Sequence, residues 1–154
     1  MNNLEYCIAE IDDLPLIVEM KMAMFIEARH GDLLAKNART IVLDDYKVLY
    51  AKKMASHFIA RSNGEIIATV GAFIKSDLPF RYFSPPTYGF IGDVYVKKDY
   101  RQNGIATRLS KDALTWFSLN GVKMVRLLAS EDALPIYEKL GFVVSDEMVL
   151  NLAT

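Results

Sequence analysis

The sequence predicts a mixed α/β domain with one core. Segments of strand-like and helix-like apolar spacing alternate along the chain, and an Asn63-Gly64 pair separates two apolar runs. A strand-like run, Tyr88 to Val96, also passes through a glycine turn into an amphipathic helix. The chain has 154 residues and a mass of 17.4 kDa, the length of one domain. A chain that long buries about 68–70% of the surface its unfolded form exposes. We expect residues 1–154 to form one domain with the order β-α-α-β-β-β-α-β-α-β.

Leu4 to Ala9 reads as a short strand. Asp12 and Asp13 suit a helix start, with Pro15 in the tolerated first turn. Leu14, Ile17, Val18, Lys21, Phe25 and Ala28 then recur at threes and fours, so the first helix runs to about Arg29 and stops near Gly31. Asp44 and Asp45 are expected to start a second helix carrying Val48, Leu49, Ala51 and Ala55 on one side. His57 to Arg61 and Glu65 to Ile74 flank Ser62-Asn63-Gly64 as a hairpin, and Gly71 inside its second strand marks a bulge or a close backbone approach. Ser76 to Thr87 is proline-rich and reads as a loop. After the strand Tyr88 to Val96 comes a polar turn, Lys97 to Asn103, and then a helix with Ile105, Leu109, Ala113, Trp116 and Phe117 on one stripe, closed by Gly121. Lys123 to Ala129 is strand-like, Ala133 to Leu140 is a short helix, and Phe142 to Leu150 is expected to finish in strand.

Composition excludes several classes of function. Lys and Arg number 18 against 19 Asp and Glu, a net charge of −1, which is no broad footprint for nucleic acid or anionic lipid. The lone Cys7 rules out an internal disulfide framework and a CxxC site, and fits a reducing compartment. The N-terminal MNNLEYCIAEIDD is acidic and interrupted, unlike a signal peptide, and no apolar run reaches the ~20 residues of a membrane span. The expectation is a cytoplasmic protein that binds neither nucleic acid nor membrane and needs no metal.

Val94 to Ala106, VYVKKDYRQNGIA, carries the chemistry. Where a strand turns into a helix, the first helical N–H groups lack intrahelical partners and the dipole presents its positive end. Such amides suit a phosphate or pyrophosphate. Gly104 admits close approach, Ala106 leaves room, and Arg101 and Arg108 add charge. The GxxxxGK[ST] and GxGxxG loops are both absent, which disfavours a P-loop hydrolase and a dinucleotide fold.

Arg101-Gln102-Asn103-Gly104-Ile105-Ala106 resembles the R/Q-x-x-G-x-G/A element of the GNAT superfamily of N-acetyltransferases. It follows the strand IGDVYVKKDY and precedes a helix, and LLASEDALPIYEKLGF, Leu127 to Phe142, is similar to the family's closing A-x-x-x-Y-x-K-x-GF segment. The resemblance covers essentially the whole chain and implies a mostly antiparallel central sheet flanked by helices.

What it implies chemically is transfer of an acetyl group from acetyl-CoA, as cosubstrate, to the primary amine of a small molecule or peptide by direct attack on the thioester. Backbone groups of Val94, Tyr95 and Val96 would meet the pantetheine arm, and one N–H near Val96 would polarise the thioester carbonyl. Arg101, Gln102, Asn103, Gly104, Ile105, Ala106 and Thr107 would cradle the pyrophosphate, and Tyr137 would protonate the leaving thiolate. Where relatives often carry Asn at a coenzyme contact, this chain has Ser130. The general base stays open. Asp93, a carboxylate within an apolar strand, is the first candidate, because burial would raise its pKa into a useful range. His57 and His30 are alternatives, each with a structural reading beside it. Met20, Met22, Met24 and Phe25, with Phe80, Tyr82, Phe83 and Tyr88, could line an acceptor site, and Glu27 and Asp32 could attract its ammonium. A homodimer also stays open. The competing reading is a catalytically silent module of the same fold that binds acyl-CoA.

Overall fold

The computed structural model describes residues 3–77 and 86–153. Five strands form one sheet in the order β1 (Leu4–Ile8), β2 (Ala55–Ser62), β3 (Glu65–Ser76), β4 (Thr87–Val96) and β5 (Val125–Leu127). The first four pair antiparallel, and β4 pairs with β5 parallel. The helices are α1 (Leu14–Glu27), α2 (Ala38–Ala51), α3 (Ile105–Leu119) and the short α4 (Leu134–Lys139).

The two-residue turn of the hairpin forms as its sequence dictates. Ser62 pairs with Glu65, and Asn63 and Gly64 both take positive φ, 51° and 82°. That is the backbone of the primed turn whose twist matches the flanking strands.

Strand alternation then sends side chains to two separate cores, one on each face. Phe58, Ala60, Val70, Ala72 and Ile91 point toward α3, where Ile105, Leu109, Ala113 and Phe117 complete a buried cluster. Ile59 and Ile66 point the other way, into a cluster with Leu14, Ile17, Val18, Met20 and Met22 of α1 and Tyr46 of α2. Helices on both faces cover this sheet, which is why β2 is buried along nearly its full length and β3 from Ile66 to Ala72.

The structure departs from the sequence expectation in several places. The second helix begins at Ala38, six residues before Asp44. Its inward stripe is Ala38, Val42, Tyr46, Leu49 and Tyr50, a spacing of three and four, while Val48 is exposed and Ala55 belongs to β2. Ser76 and Thr87 pair as the ends of β3 and β4, so the connection is shorter than expected. Phe80, Tyr82 and Phe83 lie outside the described residues. The final strand expected at Phe142–Leu150 is not formed. Val143, Val144, Met148, Val149 and Leu150 are each more than three-quarters exposed. Alternating apolar residues make a strand only when a ladder partner and a buried face are available, and the described residues give this segment neither. A cavity of about 1000 Å³ opens between it, β5 and α4.

The orientation of α3 can be tested by a pair of truncations. Leu109 is fully buried and Leu119 is 82% exposed. Leu109→Ala should cost about 2–5 kcal/mol in urea denaturation. Leu119→Ala should stay within about 0.5 kcal/mol of the parent.

Candidate active site

The site is built where β4 leaves β5. Gly89, Phe90 and Ile91 pair with Val125, Arg126 and Leu127, and the parallel ladder ends there. Beyond it β4 continues to Val96 alongside β3 alone, so the two parallel neighbours part company. At the same point β4 carries a bulge. Thr69 pairs with Tyr95 and Gly71 with Gly92, so one residue of β3 faces two of β4, Asp93 and Val94. Asp93 takes φ 53°, in the left-handed region. The extra residue turns Asp93 toward α1 and α2, while Val94 and Val96 pack toward α3.

Asp93 is 4% exposed and accepts three hydrogen bonds. Lys21 Nζ of α1 donates to Oδ1 at 2.5 Å, Tyr46 Oη of α2 donates to Oδ2 at 2.5 Å, and His57 Nε2 of β2 meets Oδ2 at 2.8 Å. The other nitrogen of His57, Nδ1, lies 2.7 Å from the hydroxyl of Tyr50. Burial raises the Tyr50 pKa, so its hydroxyl keeps its proton and shares a hydrogen bond with Nδ1, while Nε2 faces Asp93.

The expectation that burial lifts the Asp93 pKa is reversed. Burial does pull upward, but the bond and charge of His57, followed by the charge and bond of Lys21, outweigh it and hold the carboxyl well below the usual range. Asp93 is therefore an anion at neutral pH with both oxygens engaged. A left-handed residue other than glycine costs roughly 1–2 kcal/mol. Hydrogen bonds to a charged group contribute about 1.5–3 kcal/mol each, so the network outweighs the backbone cost.

The second part is the loop into α3. Gln102 and Gly104 have φ of 62° and 75°, and Gly104 sits at the N-cap position. The first helical bond runs from Arg108 N–H to Gly104 O at 3.0 Å. Among the described residues the backbone N–H groups of Gln102 through Thr107 meet no protein acceptor, and a Cβ placed on Gly104 would enter open space. Asn103 Nδ2 donates to the carbonyls of Tyr100 and Arg101 and stiffens the turn. This cradle of free amides fits a diphosphate without a side-chain cation.

Arg101 has another partner. Its Nε donates to Val96 O at 2.7 Å and its Nη2 to Glu27 Oε2 at 2.6 Å, with the guanidinium 5.5 Å from the centre of the Tyr95 ring. Tyr95 Oη donates to the other oxygen of Glu27 at 2.7 Å. Arg101, then Tyr95, holds the Glu27 carboxyl below its ordinary pKa. Glu27 is thus tied to β4 and the loop, not free for a cation.

Tyr137 lies on α4, 7% exposed, edge-on to Phe142 with ring centres 5.9 Å apart. Among the described residues its hydroxyl makes no hydrogen bond, and burial raises its pKa. Ser130 Oγ accepts from Ala133 N–H at 3.3 Å, capping the turn into α4. Ile105 is buried in the α3 core, and Ala106 and Thr107 are half-buried. His30 and Asp32 lie in the exposed stretch after α1, away from the Asp93 cluster. Sequence reasoning placed Asp93, His57 and the loop but missed Lys21, Tyr46 and Tyr50. The readable signal was a lysine on the apolar stripe of α1.

The model of the acetyltransferase (GNAT) family matches residues 24–142, and the chain belongs to that family. It is similar over 97% of its length to 96% of a predicted acetyltransferase from Clostridium acetobutylicum solved with acetyl-CoA, at 25% identity and a TM-score of 0.86. A GCN5-related N-acetyltransferase from Ralstonia eutropha shares the fold, with 24% identity, a TM-score of 0.85, and coverage of 99% of this chain and 100% of that one. An aminoglycoside 6'-N-acetyltransferase from Acinetobacter haemolyticus also shares it, at 21% identity and a TM-score of 0.70, covering 97% of this chain and 98% of that one. No curated protein matches the chain. No helix among the described residues is long and apolar enough to cross a membrane.

The Asp93 cluster makes stability depend on pH in a defined direction. A carboxyl whose folded pKa lies below its unfolded value of about 4 contributes fully above that pH and loses its contribution as pH falls below it. Asp93→Asn should cost roughly 3–5 kcal/mol near pH 7, the scale of breaking a buried pair. The gap in melting temperature between parent and variant should narrow as the pH is lowered from 6 toward 3. A gap that stays constant over that range would show that the carboxylate charge is not what the network stabilises.

Proposed function

We propose that the chain transfers the acetyl group of acetyl-CoA to a primary amine of a small molecule or peptide by direct attack on the thioester. The observation that supports this reading is the coincidence, at one end of β4, of an unpaired strand edge and a loop of free amides. In this reading the amides of Gln102 through Thr107 hold the pyrophosphate, with Gly104 giving the close approach. The backbone of Val94, Tyr95 and Val96 lines the pantetheine arm, and an N–H there polarises the thioester carbonyl. One such donor is worth about 2.7–4 kcal/mol in a hydrolase. Alignment of amine and thioester supplies more, roughly 7–11 kcal/mol. Ser130 offers a further contact through whatever hydrogen-bonding capacity its cap leaves free.

Tyr137 is the general acid. Its hydroxyl remains protonated at neutral pH and has no protein partner among the described residues. A phenol with a pKa of 10 or more gives its proton reluctantly to a thiolate whose conjugate acid is near 8.5, so the contribution comes from placement. Asp93 and Glu27 are both bound to cations. The amine therefore reacts in its neutral form or yields its proton to water. Met24, Phe25 and Tyr95, all half-buried, form an apolar approach on the α1 side.

Gly104→Val should weaken acetyl-CoA binding by at least about tenfold in calorimetry, since a branched side chain both fills the cradle and resists the positive φ. Unchanged affinity in a folded variant would remove the loop assignment. Tyr137→Phe keeps the ring and should lower single-turnover acetyl transfer by on the order of 10²–10⁴ with little change in acetyl-CoA affinity. A parent-like rate would make Tyr137 a packing residue. A panel of amines, polyamines, aminoglycosides and peptides, read by coenzyme A release, tests the whole reading. Binding of acetyl-CoA without release from any acceptor would favour the silent acyl-CoA module.

A further inference from the structure

Three features of β4 fall on the same short stretch. The parallel ladder with β5 ends at Ile91, the bulge opposite Val70 follows, and Asp93 within it adopts a positive φ. The side chain of that one residue is gripped from three directions, by Lys21 of α1, Tyr46 of α2 and His57 of β2. The neighbouring strand leaves room for this grip: a Cβ on Gly71 would come within 3.0 Å of His57 Nε2 and 3.1 Å of Gly92 O. His57 is fully buried, Tyr46 and Asp93 are nearly so, and the Lys21 side chain reaches the surface at 23% exposure.

A purely stabilising role explains this arrangement poorly, because well-packed apolar side chains are often at least as stable as a buried ion pair. What the polar network adds is direction. Each donor has a fixed place on a packed element, so together they fix where the Asp93 carboxylate lies, and with it the peptide planes on its C-terminal side. Those are the peptides of Val94 to Val96, which the functional reading sets against the thioester.

We propose that Lys21, Tyr46 and His57 are positioning residues for acetyl transfer: by holding Asp93 they fix the turned-out backbone of β4 and aim the N–H of Val96, which points away from β3, at the acetyl carbonyl. This rests on the acetyl-CoA reading above. Asp93 acts through the backbone it anchors and takes no proton from the amine.

The test uses acetyl-CoA labelled with carbon-13 at the acetyl carbonyl, bound to the parent, Tyr46→Phe and Asp93→Asn. Asn tolerates the left-handed conformation as Asp does, so the chain can keep its path while the charge is lost. The parent should move the carbonyl resonance away from its free position, because a well-aimed N–H polarises the bond. Tyr46→Phe should reduce that displacement, and Asp93→Asn should bring the resonance close to the free value while acetyl-CoA affinity, set by the loop, changes little. The turnover number of Asp93→Asn should fall by about 10²-fold, the scale of a 1 Å misplacement. That loss should be equal for a strongly basic acceptor and for a weakly basic amine already neutral at the assay pH. Recovery of the rate with the weakly basic amine would mean that Asp93 is the proton acceptor, and would overturn the proposal. So would a parent-like carbonyl resonance in both folded variants. If Asp93→Asn does not fold, the Tyr46→Phe resonance decides alone. A parent that fails to bind acetyl-CoA overturns the functional reading, and this inference with it.

Discussion

The charge on Asp93 has to be neutralised inside the protein, and much of the architecture around β4 follows from that requirement. A buried carboxylate is tolerated only when paired and fully hydrogen-bonded. Its partners come from α1, α2 and β2, so the two helices on that face must dock in one register for the site to close. The bulge can then persist, since a left-handed aspartate standing alone would relax toward a regular strand. Once the bulge is in place, β4 departs from β5 and exposes its edge.

The two faces of the sheet divide the labour. On one, the regular apolar stripe of α3 packs against β2, β3 and β4 and delivers the start of that helix, with its free amides, to the end of β4. On the other, α1 and α2 enclose the Asp93 cluster and leave the ammonium of Lys21 reaching the surface near Phe25. In the proposed reaction, coenzyme and acceptor meet at the one stretch of backbone that both faces hold in place.

Much of this was legible in the sequence, for identifiable reasons. The hairpin was readable because Asn63-Gly64 encodes its turn locally, and α3 because its stripe and its glycine start are both short-range signals. The loop at Gln102–Thr107 was readable for the same reason. The start of α2 was misread because Asp44 and Asp45 look like caps, whereas the stripe of Ala38, Val42, Tyr46 and Leu49 governs the helix. The partners of Asp93 were not legible as a set. Lys21, Tyr46 and His57 stand 72, 47 and 36 residues from it, and no local pattern encodes such pairings. The final strand failed for the converse reason: local alternation was present, but the ladder partner it needed is a tertiary matter.

Arg101 shows what it means for a loop to be finished by folding alone. Its guanidinium already spans Val96, Glu27 and the face of Tyr95. A long cation that must be captured from solvent gives up rotamer freedom at the moment of binding, about 0.5–1.5 kcal/mol for each such side chain. Here that freedom is surrendered during folding, and the groups left to meet an anion are backbone dipoles with no rotamers to lose. In the proposed reaction the loop acts as a preformed socket, whose affinity follows from the fit of the backbone more than from the number of charges around it.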